Sequence, residues 1–206
     1  IHTRLEGLFS YKKTNTALRV AVDNIKNYTY FAQSYSIDNQ YNRLNVDVTT
    51  NQFQSPISLL TLELIQKIKF GIFRWENTIT YQKSSNNDIL GVPDLNIYSN
   101  LYMKFKIAKV LSCDLGADVR YFTEYYAPDY SPALGSYTIQ DGTDKVKIGN
   151  YPFVNIYANF LLKHTRFFVM YSHVNAGSGS KRYFLTPHYP TNERIFRFGV
   201  SWNFFN

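Results

Sequence analysis

The chain has 206 residues, with 22 basic and 15 acidic side chains and a net charge of +7. Charged residues make up only 18% and aromatic residues 17%. Such an apolar, aromatic-rich composition excludes intrinsic disorder. The single cysteine, Cys113, excludes an internal disulfide scaffold. No run of residues approaches the ~20 consecutive apolar positions that a membrane-spanning helix needs.

The alternation of apolar and polar residues runs through the whole chain and predicts β-strands, with no helical stripe. The second strand is the least regular, because Asn24 and Lys26 fall where apolar residues are due. The eighth is apolar on both faces. We expect Arg166 and Ser172 to turn inward, so that the residues facing outward are Phe167, Val169, Tyr171 and His173. The nine predicted strands are 3–11, 17–30, 58–69, 72–83, 94–107, 110–125, 150–163, 166–175 and 194–205.

The connections between these strands alternate strictly between short and long. The tight turns are Lys12–Thr16, Lys69–Ile72, Ile107–Val110 and Lys163–Arg166, and the long connections are Phe31–Ile57, Lys83–Pro93, Tyr126–Gly149 and Ala176–Glu193. An up-and-down meander places all the long connections at one end of the sheet. Transmembrane barrels have this layout, with short turns on one side and long loops on the other.

The length and chemistry of the strands favour a membrane barrel over a soluble one. Most runs reach the ~9–11 residues of a tilted spanning strand, whereas strands of soluble proteins have about 5–6. One face carries charges that suit an aqueous lumen. Aromatic residues gather near strand ends, as in interfacial girdles: Phe70, Phe73 and Trp75 at a tight turn, and Tyr121, Tyr125 and Tyr126 at a long loop. The alternative is a soluble lipocalin-like barrel with its apolar face inward, which would stay folded without detergent.

The last strand is similar to the assembly signal of outer-membrane barrels. A polar residue, a glycine and two aromatic residues are spaced as Arg197, Gly199, Trp202 and Phe204. A final strand with an aromatic outer stripe can pair with a template edge and then close a barrel. We therefore expect the barrel-assembly machinery to be a partner.

Three stretches, Phe70–Ser84, Ile97–Tyr130 and Ile148–Phe205, resemble the Putative porin family of Gram-negative outer membranes. The resemblance covers about two-thirds of the chain and lies at the C-terminal end of that family. It implies a pore, and it implies that the chain is the C-terminal part of a larger barrel, because family members are considerably longer. Two further observations suggest a piece of a longer protein: the chain opens at Ile1 without a Met or signal peptide, and nine is an odd number of strands.

Charged residues on the polar face are the candidate pore lining: Arg74, Glu76, Lys104, Asp114, Asp118 and Arg120. Opposite charges on neighbouring strands would set a field across the lumen and bias which solutes pass. The alternative is a plugged or merely solvated interior, where the same charges form cross-strand ion pairs.

Other chemistries have weaker support in the sequence. The histidines are scattered, Ser172 and His173 point to opposite faces of a strand, and no hydrolase, zinc or nucleotide motif is present. Asp129, Asp141 and Asp144 could bind calcium, but ordinary loop solvation explains them as well. Basic residues do not cluster as in a nucleic-acid-binding protein and instead suit anionic lipid headgroups. Cys113 is interpreted as a small apolar residue of the outer face.

The sequence thus predicts an all-β protein, an antiparallel up-and-down transmembrane β-barrel of which residues 1–206 form about nine strands and the C-terminal portion, with no second domain. The predicted function is a non-enzymatic, porin-like outer-membrane channel for passive diffusion of small hydrophilic solutes, without cofactor or metal. Expected partners are outer-membrane lipid, lipopolysaccharide and the assembly machinery, with a homo-oligomer left open. The alternative is a closed barrel that binds or adheres through Tyr125–Tyr151 and Tyr183–Tyr189.

Overall fold

The computed structural model describes residues 1–40, 42–142, 145–179 and 183–204. Its main element is a nine-stranded sheet of β1 (His2–Tyr11), β2 (Thr16–Ile25), β5 (Ile57–Phe70), β6 (Phe73–Ser84), β7 (Leu95–Ile107), β8 (Leu111–Phe122), β11 (Phe153–Leu162), β12 (Thr165–Ser172) and β15 (Ile195–Trp202). The remaining strands are β3 (Tyr28–Ile37), β4 (Arg43–Phe53), β9 (Asp129–Ser131), β10 (Ser136–Gln140), β13 (Phe184–Thr186) and β14 (Tyr189–Pro190). A single 3-10 turn spans Lys12–Thr14. Among the described residues, no helix is long and apolar enough to span a membrane.

The nine predicted strands are the nine strands of this sheet, in chain order and all antiparallel. The predicted alternation of tight and long connections is also confirmed. The tight turns close on residues with positive φ, among them Asn15 at 48°, Gly71 at 55° and Lys163 at 51°. Such left-handed residues let the chain reverse within a few positions, so that each hairpin keeps its two strands in register.

Some predicted strand ends were wrong. The second strand ends at Ile25 rather than at residue 30, because Asn27 adopts φ 53° and turns the chain into β3. The eighth ends at Ser172, and His173 leaves the sheet with φ 54° and is buried rather than facing outward. The predicted end of the last strand, at Phe205, lies outside the described residues. In each corrected case a left-handed residue ends a run that alternation alone would extend.

The sheet separates charge from apolar surface almost completely. Residues in register share a face, and successive residues alternate between faces. We call the face that carries Lys104 and Asp114, which are in register, the polar face, and the opposite one the apolar face. Of the seventeen charged side chains in the nine strands, sixteen lie on the polar face. The exception, Lys83, is next to the last residue of β6 and pairs with Asp94 at 3.3 Å.

The apolar face is exposed. Leu101 in the middle of β7 is 52% exposed, Val169 in β12 38%, and Phe198 in β15 76%. Within the described residues no second layer packs on these side chains, since the only other sheets form in the long connections. Cys113 belongs to this face but is fully buried, in register between Phe105 and Phe160. A continuous apolar surface of this size is unusual for a monomer in water.

The long connections fold into sheets of their own, which the sequence pattern did not predict. One sheet has the order β4-β3-β10-β9, in which Ile139 pairs with Ala32 in parallel, and the second consists of β13 and β14. The pairing of β10 with β3 joins segments that are distant along the chain. All four long connections of the main sheet lie at the same end, opposite the tight turns.

The nine-stranded sheet is not closed in the described residues, where β1 and β15 each pair with one neighbour only. Because the strands alternate in direction, the first and the ninth run the same way. Both begin at the end of the sheet where the long connections lie and finish at the tight-turn end. The two edges are therefore parallel to each other.

Candidate functional site on the polar face and in the long connections

The centre of the polar face is built around a glycine. Two tyrosines in register with Gly116, Tyr102 on β7 and Tyr157 on β11, converge over it. A Cβ at this position would lie 2.5 Å from the Tyr102 Cβ and 2.9 Å from the Tyr157 hydroxyl. The Tyr102 hydroxyl donates to Glu76 (3.1 Å) and the Tyr157 hydroxyl to Asn100 (2.8 Å). The missing side chain thus makes room for two phenol rings that hold their neighbours in place.

Charged groups flank these tyrosines. Asp118 is 7% exposed, and its Oδ1 accepts a hydrogen bond of 2.9 Å from Asn155. Lys104 pairs with Asp114 at 3.8 Å across β7 and β8. The Arg120 guanidinium lies over the Tyr98 ring, 5.4 Å from its centroid. Donors and acceptors therefore alternate over four adjacent strands, which is the arrangement that can orient water and small polar solutes.

All six residues predicted to line a pore lie on the polar face, within β6, β7 and β8. Five of them surround the tyrosine pair. The sixth, Arg74, instead donates to the carbonyl oxygens of Gly71 (2.7 Å) and Phe73 (2.8 Å), which places its charge at the tight-turn end. The structure thus brings the predicted set onto one surface, while their role in lining a pore stays a prediction.

A second charged cluster on the same face was missed from the sequence. Asp23 on β2 is 4% exposed, and its Oδ1 lies 2.7 Å from His2 Nε2 and 3.8 Å from Arg4. On the neighbouring strands Arg19 pairs with Glu63. The register of β1, β2 and β5 brings these groups together. Their alternation with apolar residues was the available signal, but the irregular end of β2 obscured it.

A buried carboxylate ties three long connections together. Asp129 in β9 is 1% exposed, and its Oδ2 lies 3.1 Å from Arg43 in β4 and 3.0 Å from His188 Nδ1. The other imidazole nitrogen lies 3.3 Å from the Tyr35 hydroxyl, and the Arg43 guanidinium covers the Tyr35 ring at 4.4 Å. A burial of this kind is tolerated because the charge is paired and hydrogen-bonded. The arrangement fixes the connections relative to one another.

An aromatic cluster anchors the last long connection. His173 contacts the Tyr151 hydroxyl at 3.0 Å and the Asn192 carbonyl at 3.0 Å, and its ring packs against Tyr183. The Tyr151 hydroxyl donates to the Asn175 carbonyl at 2.8 Å. Burial raises the pKa of the Tyr151 phenol, because the tyrosinate would lose its hydration.

The predicted assembly-signal residues lie in β15 and just beyond it. Gly199 faces Phe168 of β12, and a Cβ there would come within 2.5 Å of the Phe168 ring. Trp202 and Phe204 stack with their ring centroids 5.5 Å apart. Arg197 points to the polar face, in register with Met170. The glycine therefore serves packing between the last two strands, and the aromatic stripe belongs to the apolar face.

The calcium hypothesis has no support in the described residues. Asp129 is already paired with Arg43 and His188. Asp144 lies outside the described residues. In the part of the chain that the structure describes, no three His, Cys, Asp or Glu side chains are grouped so as to hold a metal ion.

Comparison with known proteins gives one finding. The model of the family described as Putative porin matches residues 1–206, the whole chain. Neither a curated protein nor a solved structure matches it significantly.

Proposed function

Since this chain belongs to the Putative porin family, we propose that it forms part of the wall of an outer-membrane channel through which small hydrophilic solutes diffuse. The polar face lines the water-filled lumen, and the apolar face meets lipid. Transport is passive and involves no catalytic step or cofactor. The match to the Putative porin family supports an outer-membrane location.

The observation that carries this proposal is the separation of the two faces. Sixteen charged side chains lie on one side of the sheet, while Leu101, Val169, Phe198 and their neighbours are exposed on the other. If water lay on both sides, exposure of that apolar surface would cost about 25 cal/mol of free energy per Å². A soluble barrel would turn the same surface inward and its sixteen charges outward. Lipid on one side and water on the other satisfies both faces as they stand.

The aromatic residues support the same orientation. At the tight-turn end of the apolar face lie Phe70, Phe73 and Trp202, each at least 44% exposed. At the opposite end lie Tyr171 and Phe196, which are in register. Aromatic rings at both borders of an apolar band mark the two membrane interfaces of outer-membrane barrels.

The edges of the sheet favour a larger barrel. Unpaired backbone groups on β1 and β15 would be costly in lipid, so both edges need partners. Direct closure of β1 on β15 would form a parallel pair, because both strands run the same way. An odd number of further strands would make every pairing antiparallel, which gives the even total found in bacterial single-chain barrels.

The strand β15 supports recognition by the barrel-assembly machinery. One of its edges is unpaired in the described residues, and it carries an aromatic stripe with a glycine beneath Phe168. Such an edge can pair with a template strand during insertion. We propose that Arg197, Gly199, Trp202 and Phe204 form that signal.

The test is single-channel conductance of the channel protein that carries this chain, refolded and inserted into a planar lipid bilayer. Discrete, reproducible conductance steps are expected. An inserted, heat-modifiable barrel that conducts no ions would contradict the proposal. It would instead favour a binding protein that uses the folded long connections around Asp129.

A further inference from the structure

The polar face carries more cations than carboxylates, and the surplus is not neutralised locally. The six carboxylates are Glu6, Asp23, Glu63, Glu76, Asp114 and Asp118; the ten cations are Arg4, Arg19, Lys67, Lys69, Arg74, Lys104, Lys106, Arg120, Arg166 and Arg197. The face therefore has a surplus of four positive charges, with His2 taken as neutral. On the apolar face the only strand charge is Lys83.

The carboxylates of this face are all engaged. Glu6 and Asp23 pair with Arg4, Glu63 pairs with Arg19, and Asp114 pairs with Lys104. Glu76 accepts the Tyr102 hydroxyl, and Asp118 accepts the Asn155 amide. The negative charges are thus held close to the wall by their donors.

The cations are different, because seven of them have no carboxylate within salt-bridge distance among the described residues. Arg74 and Arg166 bind neutral oxygens only, on the tight-turn carbonyls and on Asn159. Arg120 stacks on Tyr98. The others are exposed on the polar face: Lys67, Lys69, Lys106 and Arg197.

The unpaired cations concentrate toward the tight-turn end. Lys69 and Arg74 are in register on β5 and β6, and Lys106 lies next to the end of β7. Arg166 is the second residue of β12. A solute that passes the tight-turn end of this wall therefore meets ammonium and guanidinium groups that have no carboxylate partner.

From this asymmetry, and resting on the proposed function, we infer that the channel selects small anions, such as chloride, phosphate and short carboxylates, over cations. A single unpaired charge about 10 Å from an ion in water changes its local concentration about twofold at low salt. Several such charges on one wall favour anions by a larger factor. The selectivity falls as salt is raised, because the Debye length shortens.

The inference is tested by the reversal potential of the inserted channel in a gradient of potassium chloride at low ionic strength. The expected chloride-to-potassium permeability ratio is above about 2. The double variant Lys69→Glu/Lys106→Glu is expected to lower that ratio by at least about fourfold, because two charges change sign. The comparison variant is Lys12→Glu/Lys13→Glu, which makes the same change of net charge in a tight turn outside the sheet and is expected to lower the ratio less.

The outcomes separate the two proposals. A conducting wild-type channel with a ratio at or below unity overturns the inference of anion selectivity and leaves the channel function standing. Equal effects of the two double variants overturn the assignment of selectivity to this face. A folded, inserted barrel without conductance overturns the channel function, and anion selection with it. The wild-type ratio requires no variant, so a variant that fails to fold does not prevent the test.

Discussion

Placing an arginine at two depths of the apolar face tests whether that face meets lipid. Leu101 is the seventh of the thirteen residues of β7 and is 52% exposed, and Ile107 is the last residue of the same strand and 50% exposed. Both side chains lie on the apolar face. At about 3.3 Å per residue and a tilt of about 40°, Ile107 lies about 15 Å from the level of Leu101 along the membrane normal.

This spacing fixes the expected energies. The apolar band of a barrel is about 25 Å tall, so a residue about 15 Å from its middle lies at its border. Leu101→Arg should lower the free energy of unfolding by about 2–4 kcal/mol, and Ile107→Arg by about 0–1 kcal/mol. Thr78→Arg, on the polar face of β6, serves as a control that should also cost less than about 1 kcal/mol.

The measurement is reversible urea unfolding of the channel protein in phospholipid vesicles. Heat-modifiable mobility on gels reports the folded fraction, and the fluorescence of Trp75 and Trp202, both on the apolar face, gives a second signal. In water, replacing an exposed side chain costs within about 0.5 kcal/mol at either depth. Equal, small losses for Leu101→Arg and Ile107→Arg would therefore refute a lipid-facing surface.

Three further predictions concern packing at particular residues. Gly199→Leu drives a side chain into the Phe168 ring and should cost about 1–3 kcal/mol or slow assembly, measured as the folded fraction in vesicles; an unchanged fraction would refute the packing role. Arg43→Ala leaves Asp129 buried with His188 as its remaining side-chain partner, so hydrogen exchange in the long connections should rise about tenfold or more. Unchanged protection would count against a role of Asp129 in holding these connections together. Because burial raises the pKa of Tyr151, its contribution to stability is present below the ordinary phenol range and is lost as pH rises through the raised pKa. The absorbance titrations of the wild type and of Tyr151→Phe should differ by one tyrosinate, which forms above about pH 10. A difference that develops below that pH would contradict the burial argument.

The nine strands could be predicted because each carries its own signal. A strand with water on one side and an apolar medium on the other must alternate, so the pattern in β7 is legible without knowing its partners. The six predicted pore-lining residues followed from that alternation, and their shared face is confirmed by the register of β6, β7 and β8. Where a left-handed residue such as Asn27 or His173 ended a strand early, the prediction overran, and beyond Asn27 it ran into the separate strand β3.

The candidate site in the long connections had no comparable signal. Asp129 lies 59 residues from His188 and 86 from Arg43 along the chain. Asp129 opens the three-residue strand β9, Arg43 opens β4, and His188 lies in the turn between β13 and β14. The parallel pairing that joins two of these connections, β10 with β3, covers only two residues. Nothing local distinguishes such an aspartate from one that is merely solvated in a loop.

The sequence by itself determined the class of fold, the number and order of the main strands, and which residues share a face, because these follow from a period of two along each strand. The tertiary structure decided what each charged residue does. It alone showed that the carboxylates of the polar face are engaged while Lys69, Lys106 and Arg197 are not, since pairing depends on register and on distances between strands. It alone revealed the buried contacts of Asp129, because these join segments that only the folded chain brings together.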